Sequence, residues 1–350
     1  MQLLIVLKYI TVAKLTEVMS DMIRRTNRKK SGAGKVVFWI AVVLMFIIGI
    51  GCFAVSQMLG DINRGDGDFD VAELDTEEGL SDEIINIAVF GVDSRDDVVE
   101  GRSDAMMIAS LDMKHNKIKV VSLMRDSLVD IEGYGKYKLN GAYARGGVEL
   151  AVKTINQNFD MNITDYVSLN FNQLAGIVDA LGGVEVEISK AERNNANKYI
   201  KEMAYEIGEK PELIEESGAV TLRGYQAVAY ARIRAIGNAD FERTERQREV
   251  MQKLFDKALE TSPIMYPTLV KKLLPMVETS LSNEEILRIV GLVALKGKPS
   301  FEQGRLPLDG TYKTSSTYAM VYNLDRAAEK LHSFIYDDVP FYEEETEKTE

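Results

Sequence analysis

Between Ile84 and Asp126 the hydrophobic positions fall in three short bursts separated by polar turns, and this spacing predicts three strands. The first run, Ile84 to Phe90, ends in Gly91-Val92-Asp93-Ser94-Arg95. A short acidic loop leads to Gly101-Arg102-Ser103-Asp104, and the second run, Ala105 to Leu111, follows at once. It turns through Met113-Lys114-His115-Asn116 into the third, Ile118 to Leu123, which runs on to Arg125 and Asp126. If these last two runs pair as an antiparallel hairpin, the start of one lies beside the end of the other. Arg125 is then expected near Ser103 and Asp104. The loop after Phe90 is expected to bring Asp93 and Arg95 to the same edge.

Further along, the period changes. Leu150, Ala151, Ile155 and Phe159 recur near helical spacing, Tyr166 to Phe171 reads as a strand, and Gln173 to Leu181 as a short helix stopped by Gly182-Gly183. Val184 to Ile188 alternates apolar and acidic, as a half-exposed strand does. Lys190 to Ser217 is polar and reads as an irregular helical insertion. Arg232 and Arg234 are spaced by two, so an extended backbone would project them to one side. Asp240 is placed to cap a helix that continues through Met251, Phe255 and Leu259. Arg243 and Gln247 stand four apart on it, and their stripe continues to Val250, Met251 and Leu254, so both should face the protein. Arg246 and Arg248 are expected on its exposed, ion-paired surface. After Leu259, the segments Leu269 to Val277, Glu284 to Leu295 and Leu324 to Phe334 read as helices packed on the main domain.

Charge changes the picture at the N-terminus. The first thirty-five residues hold eight Lys or Arg against Glu17 and Asp21, and Val36 to Val55 then carries no charge at all. Twenty apolar residues suffice to cross a hydrocarbon core of about 30 Å. The basic block before them sets the N-terminus in the cytoplasm and the rest of the chain outside. The run exceeds the apolar core of a cleaved signal peptide, so an uncleaved anchor is expected. Past it the chain is acidic overall, which excludes nucleic acid as a partner for the bulk of the protein.

The scarce residues narrow the chemistry. Cys52, the single cysteine, lies inside the apolar span, so the outer part has neither disulfides nor a thiol nucleophile. His115 and His332 are the only histidines, and neither sits in a pattern suited to a Ser-His-Asp triad or a zinc site. What remains is Asp, Arg, Lys and Gln. Like carboxylates about 4 Å apart repel by about 4 kcal/mol at an effective dielectric near 20, so a cluster of them implies something cationic between. Arginine or a hard divalent ion can serve. Guanidinium forks in turn suit bidentate contact with phosphate oxygens.

Several motifs occur together behind one anchor: Gly91 to Arg95, Gly101 to Asp104, Arg125-Asp126, Lys138-Leu139-Asn140, Tyr230-Ala231-Arg232-Ile233-Arg234, and Asp240-x-x-Arg243-x-x-x-Gln247. In this order, from about Ile84 to Phe255, they resemble the LytR-CpsA-Psr family of cell-wall glycopolymer ligases. Met124 stands where that family usually has proline, and Gly141 replaces a commoner His or Ala. Both departures touch loop shape rather than charge.

The resemblance implies a three-layer α/β/α domain with a central mixed sheet, one side of which packs against a lipid-holding cavity, behind one N-terminal transmembrane helix. The expected division is a cytoplasmic basic segment (1–35), the membrane helix (36–59), an acidic linker (60–83), the catalytic domain (84–260), a helical C-terminal extension (261–337) and an acidic disordered tail (338–350). It also implies a reaction at the membrane. A glycan phosphate, as of wall teichoic acid or capsule, moves from a polyprenyl pyrophosphate carrier to a peptidoglycan sugar hydroxyl. By carry-over, Asp93 and Asp104 would hold Mg²⁺. Arg102, Arg125, Arg232 and Arg234 would grip the pyrophosphate, and Asp240, Arg243 and Gln247 would complete its pocket. Two other readings use the same arginines: a non-catalytic polyprenyl-phosphate-binding regulator of wall synthesis, and a lipid pyrophosphatase with water as acceptor.

Overall fold

Strand β1, Ile84–Val92, alternates buried and half-buried residues along its whole length, the signature of a central strand with unequally covered faces. The computed structural model describes residues 70–81, 83–92, 103–237, 240–262 and 265–342. The expected basic segment and membrane helix, residues 60–69 and 82 of the acidic linker, and the stretches 93–102 and 343–350 lie outside the described residues, and with them Asp93, Arg95 and Arg102. Among the described residues no helix is long and apolar enough to cross a membrane.

Strands β2 (Ser103–Asp112) and β3 (Lys117–Leu123) form the expected hairpin, antiparallel from Met107 opposite Ser122 to Asp112 opposite Lys117. β1 pairs antiparallel with β2 on its other edge. A small separate hairpin follows, β4 (Leu128–Ile131) with β5 (Gly135–Lys138), leading into helix α1 (Asn140–Phe159). Strand β6 (Asp165–Asn170) lies parallel to β1, and helix α2 (Phe171–Ala180) opens with a capping box between Asn170 and Gln173. Strand β7 (Val184–Ile188) alternates buried and exposed as its sequence predicts.

The polar stretch after β7 is more regular than expected. Lys190–Ile207 is one continuous helix, α3, started by a Ser189–Glu192 capping box and held by a narrow buried stripe of Ala196, Ile200, Met203 and Ala204. Strand β8 (Gly218–Leu222) returns to pair with β7, and helix α4 (Gly224–Ala231) leads toward the long helix α5 (Asp240–Glu260). Helix α6 (Tyr266–Leu273), strand β9 (Glu278–Thr279), helix α7 (Asn283–Lys296), strands β10 (Ser300–Leu306), β11 (Lys313–Thr314) and β12 (Met320–Val321), and helix α8 (Leu324–Ile335) complete the order.

The central sheet is mixed and six-stranded, in the order β10-β3-β2-β1-β6-β9. Residues 261–337, expected as a helical appendage, therefore supply both edge strands: β10 runs parallel to β3, and β9 pairs antiparallel with β6. One face of the sheet carries the main core, where Phe90, Met106, Ile108 and Leu123 meet Ile155 and Phe159 of α1 and Leu331 and Phe334 of α8. On the other face Met107, Ile118 and Val120 pack with Met251 and Phe255 of α5 and Phe301 of β10. A second core, built from α2, α3, α4 and the β7–β8 hairpin, includes Val250 of α5.

Residues 338–342 are also better anchored than their composition predicts. Asp338 is ion-paired with Lys117 and Lys119, and Phe341 is buried edge-on to Phe334 with ring centroids 5.1 Å apart. Residues 338–342 are thus packed onto the domain rather than part of a disordered tail.

Candidate active site

The register of the β2–β3 hairpin, continued past its last ladder pair, sets Asp104 opposite Arg125, and Arg125 Nη1 donates to Asp104 Oδ1. Local backbone order keeps Arg125 there. Met124 N donates to Leu306 O of β10 at 2.9 Å, and Asn140 N at the start of α1 donates to Arg125 O at 3.1 Å. The same carboxylate receives a second arginine, because Arg234 Nη2 donates to Asp104 Oδ2 at 2.6 Å. Arg243, from the first turn of α5, brings a third: its Nη1 lies 3.7 Å from Asp104 Oδ2.

Asp240 closes the cluster. It is the first residue of α5, and its Oδ1 lies 3.1 Å from Arg243 Nη2 and 3.6 Å from Arg234 Nε, while Oδ2 accepts from Arg125 Nη2 at 3.5 Å. The 3.1 Å approach is an ion-pair distance without hydrogen-bond geometry, so Asp240 Oδ1 is left without a hydrogen bond among the described residues. Also buried and unbonded are Arg125 Nε, Arg243 Nε and Nη1, and Gln247 Oε1, one helical turn after Arg243. Three guanidiniums thus surround two carboxylates, with donor capacity left over. An unmade hydrogen bond on a buried polar group costs about 1–3 kcal/mol, so such a group of them calls for a ligand.

Electrostatics point the same way. Burial alone would raise the Asp104 pKa, but the Arg125, Arg243 and Arg234 guanidiniums outweigh it and hold the carboxyl below the usual range. Burial, followed by repulsion from Arg125 and Arg234, pushes Arg243 down to about 10 in spite of Asp240 and Asp104. A further anion in this cluster would relieve the Arg243 side of that balance.

The remaining residues singled out from the sequence have different surroundings. Helix α4 ends at Ala231, and Arg232 sits at its C-cap in a helical conformation rather than on an extended strand. Its guanidinium lies over the rings of Phe171, at 4.4 Å, and Tyr199, at 5.2 Å, while Arg234 reaches Asp104. Lys138 is ion-paired with Asp126 at 2.8 Å, which ties the β5 end to the loop that carries Arg125. Asp126 stands in the Arg125-Asp126 motif, but the sequence alone assigns it no role of its own; its position next to Arg125 was the available signal.

Arg246 and Arg248, expected on an exposed surface, are buried. Arg246 bonds Glu192 Oε1 at 2.9 Å and Glu242 Oε2 at 2.8 Å, and Arg248 bonds Ser122 Oγ at 3.0 Å and Gln303 Oε1 at 3.1 Å. The reason is that the first half of α5 is wedged between the central sheet and the second core, so more than one of its faces is covered.

A hard divalent cation takes oxygen ligands and favours carboxylates among them. Asp104 offers a carboxylate that stays ionised, which suits such an ion, although Arg125 and Arg234 already engage both of its oxygens. Its expected companion, Asp93, is outside the described residues.

Comparison with known proteins decides the lineage. The model of the LytR_cpsA_psr family matches residues 56–332, most of the chain. The chain belongs to the LytR-CpsA-Psr family. Among curated members, a protein named polyisoprenyl-teichoic acid–peptidoglycan teichoic acid transferase TagU, from Bacillus mycoides, is 32% identical over 263 residues, covering 72% of this chain and 81% of that protein. The TagU of Enterococcus faecalis is 30% identical over 264 residues, covering 73% of this chain and 80% of its own length. Solved structures share the fold. Protein gbs0355 from Streptococcus agalactiae superposes with a TM-score of 0.60 at 25% identity, over 72% of this chain and 88% of that one. The LytR-CPS2A-psr family protein YwtF (TagT), solved with bound octaprenyl pyrophosphate lipid, gives 0.55 at 22% identity, over 79% of this chain and 97% of its own. The mixed α/β domain with a central mixed sheet is therefore the fold of the LytR-CpsA-Psr family.

Proposed function

We propose that this chain is a membrane-anchored phosphotransferase that moves a glycan phosphate from a polyprenyl pyrophosphate carrier to a peptidoglycan sugar hydroxyl. The observation that carries this reading is the excess of buried, under-bonded guanidinium around Asp104 and Asp240. A diphosphate would satisfy those donors bidentately. The transferase names of the curated relatives, and the octaprenyl pyrophosphate bound in a structure of the same fold, support it.

The apolar face of the sheet suits the lipid. Val89, Ala105, Ala109 and Leu111 are only partly buried beside Met251, Phe255 and Phe301, and Ala105 directly follows Asp104. A polyprenyl chain laid there would keep its pyrophosphate at the arginines. Phosphoryl transfer asks mainly for positioning and for neutralising charge spread over phosphate oxygens. The acceptor hydroxyl oxygen attacks the phosphorus that bears the glycan, the bridging P–O bond to the other phosphate breaks, polyprenyl phosphate leaves, and the hydroxyl proton passes to that departing phosphate or to solvent. Arg125, Arg234 and Arg243 hold the phosphate oxygens through that change, and Asp240 keeps the guanidiniums oriented. Asp93 and Asp104 are the residues that would hold Mg²⁺, which when bound neutralises diphosphate charge. The anchor sets the N-terminus inside and this domain outside the cell membrane, where the lipid carrier presents its glycan.

The full-length protein in lipid nanodiscs, incubated with Mg²⁺, a pyrophosphate-linked lipid glycan and peptidoglycan, should yield a phosphodiester-linked glycan by mass spectrometry. Free glycan phosphate as sole product would make it a pyrophosphatase, and donor binding without turnover would make it a regulator. Transfer that persists in an Arg125→Ala, Arg243→Ala double variant defeats the site assignment.

A further inference from the structure

Directly after Arg125 and Asp126, the β4–β5 hairpin carries a group of residues that the pyrophosphate pocket leaves unused. Its turn is Glu132-Gly133-Tyr134, and Gly133 and Gly135 take positive φ of 75° and 67° on either side of Tyr134. Tyr134 is 54% exposed and Tyr137 is 43% exposed, which is unusual for large rings in a short, ordered hairpin. Arg145 lies between them, its guanidinium 3.8 Å from the Tyr137 ring centroid and 5.2 Å from that of Tyr134, and its Nη1 donates to Gly141 O at 3.0 Å. The stack depends on Gly141. A Cβ at that position would come within 2.5 Å of both Arg145 Nη1 and Tyr137 Cδ1. The departure of Gly141 from the commoner His or Ala is thus matched by an arginine and a tyrosine filling the space it leaves.

From these contacts we infer that the Tyr134–Arg145–Tyr137 stack is the acceptor subsite, a platform for the peptidoglycan glycan strand. This rests on the transferase reading above and adds to it the place where the sugar that receives the phosphate is held. Three observations favour a glycan here. Tyr rings offer broad amphipathic faces at low entropic cost, and a stack held by cation–π contact is already ordered before binding. The platform carries positive charge in an acidic protein: exposed Arg145 lies between the two rings, suited to the carboxylates of peptidoglycan. The hairpin is also continuous with the site, because Lys138 pairs with Asp126 and Leu139 N donates to Ser127 O at 2.9 Å, immediately beyond Arg125. A glycan lying on the rings therefore adjoins the hairpin base that is tied to the loop carrying Arg125.

The test uses full-length protein in nanodiscs and two probes, a soluble uncrosslinked peptidoglycan glycan fragment and octaprenyl pyrophosphate. For Tyr134→Ala with Tyr137→Ala, the expected result is about ten-fold weaker binding of the fragment, with octaprenyl pyrophosphate affinity unmoved. Tyr137→Phe should keep fragment affinity within about two-fold, since the ring and its stack remain. Gly141→Ala should weaken the fragment alone by displacing the stack. Fragment binding that is absent in the wild type, or unchanged in the double variant, overturns the assignment. So does an equal loss of both probes, which would make the hairpin a mere support for Arg125. A wild-type protein that fails to bind octaprenyl pyrophosphate defeats the transferase reading itself, a result separable from all of these.

Discussion

Strand β2 carries a charge cluster at each end, and the two follow opposite rules. At the Asp112 end the buried charges are answered. The ammonium of fully buried Lys119 lies 3.0 Å from Asp112 Oδ2 and 3.0 Å from Asp338 Oδ1, and donates to Ile335 O at 3.0 Å. Asp112 also accepts from His115 N at 2.9 Å, with His115 Nδ1 2.8 Å from its other contact point, Oδ2. Asp112, His115 and Asp338 converge closely enough to ligate a metal ion, but an ammonium already supplies the cation there. At the Asp104 end guanidiniums outnumber carboxylates, and buried polar atoms have no hydrogen-bond partner among the described residues. Density of charge is similar at both ends; satisfaction of it is not. The closed cluster reads as a clamp between the sheet and the chain's C-terminal segment, and the open one as a site.

The largest expected effect tests the clamp. Lys119→Met leaves Asp112 buried without its ammonium and should cost about 3–5 kcal/mol of unfolding free energy in a urea titration. Adding Asp112→Leu should recover much of that, because an apolar pair replaces an unpaired charge. Transfer by the folded fraction should not change. If Lys119→Met left stability intact, the clamp would be ornamental and the contrast between the two ends would fail.

Arg243→Ala should invert the pattern. If the proposed phosphate contact is right, loss of this buried guanidinium should slow transfer by about 10²–10³-fold, as removal of a preorganised transition-state donor does. Stability should hold or rise, since the substitution removes a desolvated charge that repels Arg125 and Arg234. Single-turnover kinetics beside a thermal melt separates the two quantities. A large fall in melting temperature would class Arg243 with the clamp instead.

Much of the open end was legible in the sequence, because a hairpin register is a local property. Two apolar runs and a four-residue turn suffice to set Asp104 beside Arg125. Helical spacing likewise put Arg243 and Gln247 on one inward face. The rest depended on partners that a local pattern cannot see. Arg232 parts from Arg234 because α4 ends between aromatic rings of α2 and α3. Arg246 and Arg248 are buried because two separate cores close on α5. The segment Ser300–Leu306 lacks alternation and becomes a strand only through its pairing with β3.

Acid should open the clamp. Burial would raise the Asp112 pKa, but hydrogen bonds from His115 and Lys119 outweigh it and lower it from 3.8 to about 2, and Asp338 moves in the same direction. A folded value below the unfolded one means that the native state binds fewer protons, so acid favours unfolding. The Asp112 contribution is complete above about 3.8 and is lost as pH falls toward about 2. Unfolding titrations across that window should show the loss, and Lys119→Met should flatten it. A slope that survives in Lys119→Met would place the responsible carboxylates elsewhere.

The smallest effect gives the sharpest comparison. His115 is partly exposed at the β2–β3 turn, and its ring touches Asp112 without being needed to neutralise it, since Lys119 does that. His115→Gln should therefore cost only about 0.5–1 kcal/mol, the range of a partly solvated pair, by the same urea titration. The turn is the far end of the hairpin whose open end holds Asp104 and Arg125. If transfer kinetics stay unchanged while stability dips, the two ends act independently and the strand between them is only a spacer. A change in the affinity for octaprenyl pyrophosphate in His115→Gln would instead mean that hairpin register is transmitted along β2, and the clamp would have to be counted as part of the site's positioning.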